Sequence, residues 1–304
     1  GLARQDVKRI ALSAQRMRNW MPRVLGSMSI RPGLGYLGNT KSNAATKLIE
    51  FIFSPSDKAL LEMTDSVMRV WVSDALVTRP AVTTAITNGT FTTDLSSWTD
   101  SDQSGAASTW SAPGYMQLVG TGTNAAIREQ QVAVAGANIG VEHALRIVIA
   151  RGPVLLRVGS TSGGDQYISE TTLLTGTHSL TLTPTGDFYV RFFSRLVRLT
   201  WVDSCTVEAA GVMEVPTPWP ASVLGLLRWD ESADVVFVAC YGYQQRRIER
   251  RSTRSWSVVL YQSDDGPFRV QNVGPTTMTP SALSGNGTLT SRVAFFRSTQ
   301  VGAL

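Results

Sequence analysis

The sequence predicts a mainly β protein, and three observations carry that prediction. Apolar residues come in short runs of roughly four to eight, alternating or continuous, as half-buried or fully buried strands require. Clusters of Gly, Pro, Ser, Thr and Asn separate these runs and mark turns. One stretch alone, residues 7–20, places Ile10, Ala14 and Met17 at helical spacing and predicts a short helix.

Taken in chain order, the first informative stretch is residues 18–72. Asn19, Trp20, Pro22 and Gly26 lead to Arg31-Pro32-Gly33, where Pro32 fixes φ and Gly33 permits a tight turn before a strand. Two apolar runs, 48–53 and 59–63, predict strands. The polar turn Thr64-Asp65-Ser66 and a third strand at 67–72 follow.

From about residue 86 to 208 the composition changes. This segment is rich in Thr, Ser and Gly, has no lysine, and holds seven arginines against ten acids, a net of −3. The rest of the chain carries +8. Opposite charge in two parts of one chain predicts two parts with different neighbours. Strands are predicted at 115–119, 126–134, 144–150, 154–158, 167–172, 178–183, 188–193 and 197–201, a spacing that suits a two-sheet sandwich. Within 178–183, Leu180 and Leu182 alternate with Ser179, Thr181 and Thr183, as in a half-buried antiparallel strand. Gly163-Gly164-Asp165 reads as a hairpin loop. Beyond 208, an apolar run at 224–229 precedes a strand expected at 235–240; an Arg-rich segment at 245–251, a further run at 256–261 and a turn at 264–268 follow.

Composition bounds the function. With 304 residues, 43% apolar and 17% charged, the chain suits a folded protein of two ordinary domains. Residues 1–20 carry five cations and no apolar core, so they do not read as a signal peptide. No apolar run approaches the roughly 18–20 residues of a membrane helix. Cys205 and Cys240 sit in apolar strand-like surroundings and are expected as buried free thiols. Twenty-four arginines stand against four lysines, a bias that suits protein interfaces and phosphate contact or reflects a GC-rich genome. No P-loop, GxSxG or HExxH occurs. His143 and His178 lack partners at ligand spacing. The chain therefore reads as no enzyme, with no catalytic residue and no metal site.

The order of residues in 18–72, together with Glu214-Val215-Pro216-Thr217-Pro218-Trp219 and the segment through 256–261, resembles large tail proteins of double-stranded DNA bacteriophages. The family is the nozzle or tubular tail proteins of short-tailed phages. The resemblance spans 1–85 and 211–304. It implies a β-propeller-like scaffold interrupted by an inserted module, with boundaries at 1–85, 86–208 and 209–304. The opening Asn88-Gly89-Thr90-Phe91 then Leu95-Ser96-Ser97-Trp98 resembles the first strand of carbohydrate-binding-type jelly rolls, and the run at 202–207 resembles their closing strand. The family further implies a structural subunit of the virion tail, assembled in the host cytoplasm into a homo-oligomeric ring, expected as a hexamer. Its partners would be portal or adaptor and tail-fibre proteins, with transient contact to packaged double-stranded DNA. Residues 294–304 look like an internal segment of longer relatives, so a fragment or a shorter family member is expected.

Two sets of side chains are candidates for contact. Arg246, Arg247, Arg250, Arg251 and Arg254 form a candidate phosphate-facing or subunit-interface patch. Tyr241, Tyr243 and Trp256 stand nearby as aromatics that could stack on bases. Trp98, Trp110 and Tyr115 are candidate glycan contacts, which supports the alternative of a host-surface glycan-binding adhesion protein. A depolymerase has no visible acid pair to support it. Jelly-roll modules often hold a structural calcium ion, for which Asp94, Asp100, Asp102 and Asp203 are the candidate ligands. No other cofactor is expected.

Overall fold

Period-two alternation governs almost every element of the computed structural model, which describes residues 17–23, 27–54, 57–262, 277–284 and 286–297. The chain divides into two compact units, Gly1–Leu260 and Tyr261–Leu304. In the first unit, β1 (Trp20–Pro22) and β2 (Met28–Ile30) form an antiparallel ribbon. The predicted helix lies outside the described residues over 7–16, and its last positions are not helical. Asn19 is left-handed (φ 62°), and its backbone and side-chain oxygens both accept from Arg31, which closes the ribbon.

β3 (Lys47–Ser54), β4 (Asp57–Thr64) and β5 (Val67–Val72) form the expected meander, with Ser66 left-handed in the turn. β6 (Ala75–Leu76) folds back on β5, and β7 (Thr78–Arg79) follows. The middle of the chain gives β8 (Thr99–Asp100), β9 (Ala107–Ser111), β10 (Tyr115–Val119), β11 (Ala126–Val132) and β12 (His143–Arg151). It continues with β13 (Val154–Gly159), β14 (Ile168–Leu173), β15 (Gly176–Leu182), β16 (Phe188–Ser194) and β17 (Thr200–Val207). After β18 (Gly211–Val212) and β19 (Val215–Pro216), the chain closes the unit with β20 (Arg228–Ser232), β21 (Val235–Cys240), β22 (Tyr243–Ser252) and β23 (Ser255–Leu260). In the second unit, β24 (Met278–Pro280) pairs with β25 (Leu289–Ser291). The turn expected at 264–268 lies outside the described residues. Among the described residues, no helix is long and apolar enough to cross a membrane.

Among the described residues all strand pairs are antiparallel and no sheet closes. A nine-stranded sheet runs β20-β21-β22-β23-β15-β12-β17-β10-β9, and a five-stranded sheet runs β14-β13-β16-β11-β8. These two pack face to face: Met116, Leu118, Leu145, Ile147, Ile149 and Val202 meet Ala126, Leu156, Val158, Phe188, Val190 and Phe192 in one core. A second core joins the inward side chains of β3–β5 (Ile49, Phe51, Leu61, Met63, Met68, Val70) to Val236, Val238, Ile248, Trp256 and Val258. Phe51 meets Trp256 edge-on at 5.4 Å. The cores are separate, yet the pairing of β15 with β23 carries one sheet across both.

Several expectations shift. Residues 88–91 and 95–98 form turns and not a first strand, because Asn88, Phe91 and Ser97 are left-handed. Gly89 accepts from the Cys205 amide at 2.7 Å, so close to β17 that a Cβ there would overlap the Cys205 carbonyl. The strands expected at 197–201 and 202–207 are one strand, and Val197 is exposed in the loop before it. Gly33 has a free surrounding and no left-handed φ, so its position makes no demand for glycine. Cys205 and Cys240 are free and buried, and burial raises the pKa of both thiols.

Candidate functional site

β22 positions the Arg-rich segment, and strand alternation splits it between two faces. Ile248 points into the second core, which places Arg246 and Arg250 on that face and Arg247, Glu249 and Arg251 on the other. Arg250 lies over Phe53 and Phe51, 5.1 and 5.8 Å from the ring centroids, and forks between Asp57 and Asp234. Glu249 takes Arg247 at 2.7 Å on one oxygen and Arg251 at 2.9 Å on the other. Arg251 also donates to Thr171 and to the Thr172 carbonyl in β14. Arg254, in the β22–β23 turn, makes a two-bond fork with Glu142 at 2.5 and 2.9 Å.

Four of the five arginines are therefore engaged by carboxylates of their own chain. Arg246 has no acidic partner among the described residues, and its Nε is buried without a hydrogen bond. Desolvation lowers its pKa.

The Arg254–Glu142 fork opens onto a deeper network that the sequence did not reveal. Arg79, whose side chain is 2% exposed, donates to Glu208 (2.7 Å), Glu142 (3.4 Å), Ser179 Oγ (2.7 Å) and the Arg254 carbonyl (2.9 Å). Arg146 reaches the other oxygen of Glu208 at 2.6 Å. These residues come from β7, β12, β15, the end of β17 and the β22–β23 turn, so the network clamps the two cores together. The partners of Arg79 lie 63 to 175 positions away along the chain, which no local pattern could signal.

The aromatic candidates divide. Trp98 is a core residue, edge-on to Phe91 at 5.6 Å and tilted against Phe192 at 5.7 Å, with its Nε1 donating to the Asn88 carbonyl. It offers no ring face to a glycan. Trp110 is exposed at the β9 edge, its Nε1 bonded to the Phe91 carbonyl. Tyr115 stacks on Trp201 at 5.4 Å, and the Arg151 guanidinium lies 5.5 Å from the Trp201 ring. Trp201, which the sequence reading did not single out, also donates to Gln117. Trp256 is fully buried, and Tyr243 packs against the second core. Tyr241 stands 90% exposed beside β22.

The candidate calcium ligands do not converge. Asp102 accepts from the Ser108 and Ile127 amides, Asp94 from Asn88 and Ser96, and Asp203 from the Ser204 hydroxyl, while Asp100 pairs with Arg128. Among the described residues, no group of three or more His, Cys, Asp or Glu side chains is placed to hold a metal ion. Both histidines are buried and doubly bonded: His143 to Thr84 and the Val141 carbonyl, His178 to Ser257 and the Leu174 carbonyl.

A groove of about 560 Å³ lies on the outer face of the β3–β5 meander, lined by Leu48, Ile52, Leu60 and Trp71 among others. Comparison with known protein families matches none of them, and no curated protein matches the chain.

Proposed function

We propose that this protein is a structural subunit of a bacteriophage tail of the nozzle or tail-tube kind. It works by assembling with copies of itself into a ring that continues a DNA channel and mounts other tail parts. The observation that carries this reading is apolar surface left uncovered among the described residues: Trp20, Met21, Met28, Ile30, Leu34, Tyr36 and Leu37 are all exposed, as are Leu48 and Ile52. Contiguous exposed apolar residues mark contact surfaces. The ordered, internally paired polar groups suit a stiff wall more than a reacting cleft.

In this reading β20–β23, an up-and-down meander of four strands, is a blade-like unit of a propeller-like scaffold. Residues 86–208 are an inserted jelly-roll module between 1–85 and 209–304. Native mass spectrometry of the full chain, with electron microscopy of any ring, is the test. A discrete closed oligomer is expected. A strict monomer at tens of micromolar would overturn the reading.

A second reading, host-glycan adhesion, rests on the outer-face set Tyr115, Trp201, Gln117 and Arg151. Ring faces flanked by amide and guanidinium donors suit sugar binding. Retention on host cell-wall polysaccharide that is lost on Tyr115→Ala would favour it, and no retention would dispose of it.

A further inference from the structure

The groove and the exposed ribbon lie on one short stretch of chain, and their join is fixed. Gly38 crosses directly over the Trp71 ring, where a Cβ would come within 2.8 Å of it. Next to it, the Asn39 carbonyl accepts from Arg69 at 2.9 Å, and the Lys41 amide donates to Glu62 at 2.9 Å. Glu62 is itself held by Arg69 and by Trp71 Nε1. Burial raises its pKa, but these donors outweigh that and hold it below the ordinary value, so it stays an anion. The root of the arm is thus pinned on the outer face of the meander. Chainward of Leu37 the described residues 17–23 and 27–36 are nearly all exposed, although seven of the large side chains up to Leu37 are apolar.

The groove beside that root is open. Alternation in β3 and β4 sends Ile49, Phe51 and Leu61 inward and leaves Leu48, Glu50, Ile52, Lys58 and Leu60 facing out. Leu48 and Ile52 are 48% and 47% exposed. Charge separates arm from groove. Residues 17–37 carry Arg18, Arg23 and Arg31 and no acid. The groove offers Glu50 and Asp74, neither in an ion pair among the described residues, against the single Lys58.

We infer that the β1–β2 ribbon of one copy docks into the β3–β5 groove of a second copy, Trp20, Met28 and Ile30 covering Leu48, Ile52 and Leu60, and Arg23 and Arg31 meeting Glu50 and Asp74. The contact is head-to-tail: each copy gives an arm and receives one. Such a heterologous contact builds a ring when its rotation closes. The inference rests on the ring reading and specifies how neighbours are joined.

The test uses the full chain with single cysteines placed at exposed sites. Ile30→Cys protein and Ile52→Cys protein, carrying different tags, are each air-oxidised alone and, from the reduced state, as a mixture; the native cysteines are buried. A disulfide between the two tags, formed only on mixing and absent with Val197→Cys as the groove partner, is the expected result. Oligomer without that cross-link overturns the arm-to-groove contact and leaves the ring reading standing. A monomer without it overturns both. An intrachain disulfide in the double variant, at dilution, shows the arm folding on its own groove and also refutes the exchange.

Charge reversal gives the second readout. Arg23→Glu with Arg31→Glu weakens association about tenfold or more, and a partner carrying Glu50→Arg with Asp74→Arg restores it in trans. Unchanged association, or no rescue by the complementary partner, counts against the pairing.

Discussion

His178 gives the fold an acid sensitivity that can be calculated. It is fully buried in β15, where Nε2–H donates to the Leu174 carbonyl at 2.9 Å and Nδ1 accepts from the Ser257 hydroxyl at 2.8 Å. Burial is the main cause that pushes its pKa down from 6.5 to about 3; the Leu174 bond opposes the shift, and the Arg251 charge adds to it. The folded chain therefore stays neutral here while the unfolded chain takes up a proton below pH 6.5. Between those two values the unfolded state holds one proton more, so stability falls as pH falls, by about 1.4 kcal/mol per unit. At pH 5 the loss relative to pH 8 is roughly 2 kcal/mol from this side chain alone.

Urea unfolding followed by tryptophan fluorescence, at intervals from pH 8 to 4.5, measures this in the wild type and in His178→Gln. Glutamine keeps a donor for Leu174 and has no proton to gain. The difference between the two stability curves should slope by about 1.4 kcal/mol per unit below pH 6 and be flat above pH 7.5. Subtraction removes every contribution that the two proteins share. A difference curve with no slope between pH 6 and 4.5 would refute the argument. If the variant does not fold, the wild-type His178 ring resonances decide: they should not shift between pH 7 and 4.5 while the protein remains native.

Further outcomes follow from the same geometry. Trp256→Ala removes one of the two fully buried tryptophans of the second core and should cost about 3–5 kcal/mol in urea unfolding. Arg79→Ala leaves Glu208, 6% exposed at its side chain, without one of its two arginine partners and should cost about 3 kcal/mol, whereas Arg254→Ala, at a more exposed pair, should cost clearly less. Gly33→Val should leave the stability of the monomer within about 0.5 kcal/mol, since its surroundings are open; any harm would show in assembly. Residues 86–208 expressed alone keep the whole first core but lose β23 as the partner of β15, so they should melt cooperatively at a lower temperature than the full chain. Non-cooperative melting would move the boundary of that module.

What could be read from the sequence was the local pattern. β10 and β21 lie where alternation placed them, and β3–β5 with the Ser66 turn followed directly from apolar runs and a polar break. β9 escaped because it is an edge strand, Ala-Ser-Thr-Trp-Ser, whose exposed face needs no apolar alternation. The turns at 88–98 misled because Phe91, Leu95 and Trp98 are buried without being in a strand: hydrophobicity reports burial, and only backbone conformation reports the element. The Arg-rich segment was visible as a cluster. Its partners were not, since Asp57, Asp234 and Glu142 reach it through tertiary packing.

Those partners change what the arginine bias means. Arg79 bonds four groups from three directions, and Arg128 reaches Ser108 Oγ and carbonyl, the Trp98 carbonyl and Asp100 with one planar fork. Arg250 bridges Asp57 and Asp234 while covering two phenyl rings. A lysine ammonium has three donors on one nitrogen and could not span such sites. Along β22 and its turn, five guanidiniums stand against four carboxylates, Asp57, Asp234, Glu249 and Glu142, so the segment is close to neutral where it looked strongly basic. In the tail-ring reading this distinction has a mechanical consequence. A duplex carries one negative charge per ~1.7 Å, and a ring of unpaired arginine clusters would hold it against sliding. Arginines already committed to their own carboxylates stiffen the wall through clamps between strands while leaving little free charge to grip a passing phosphate backbone.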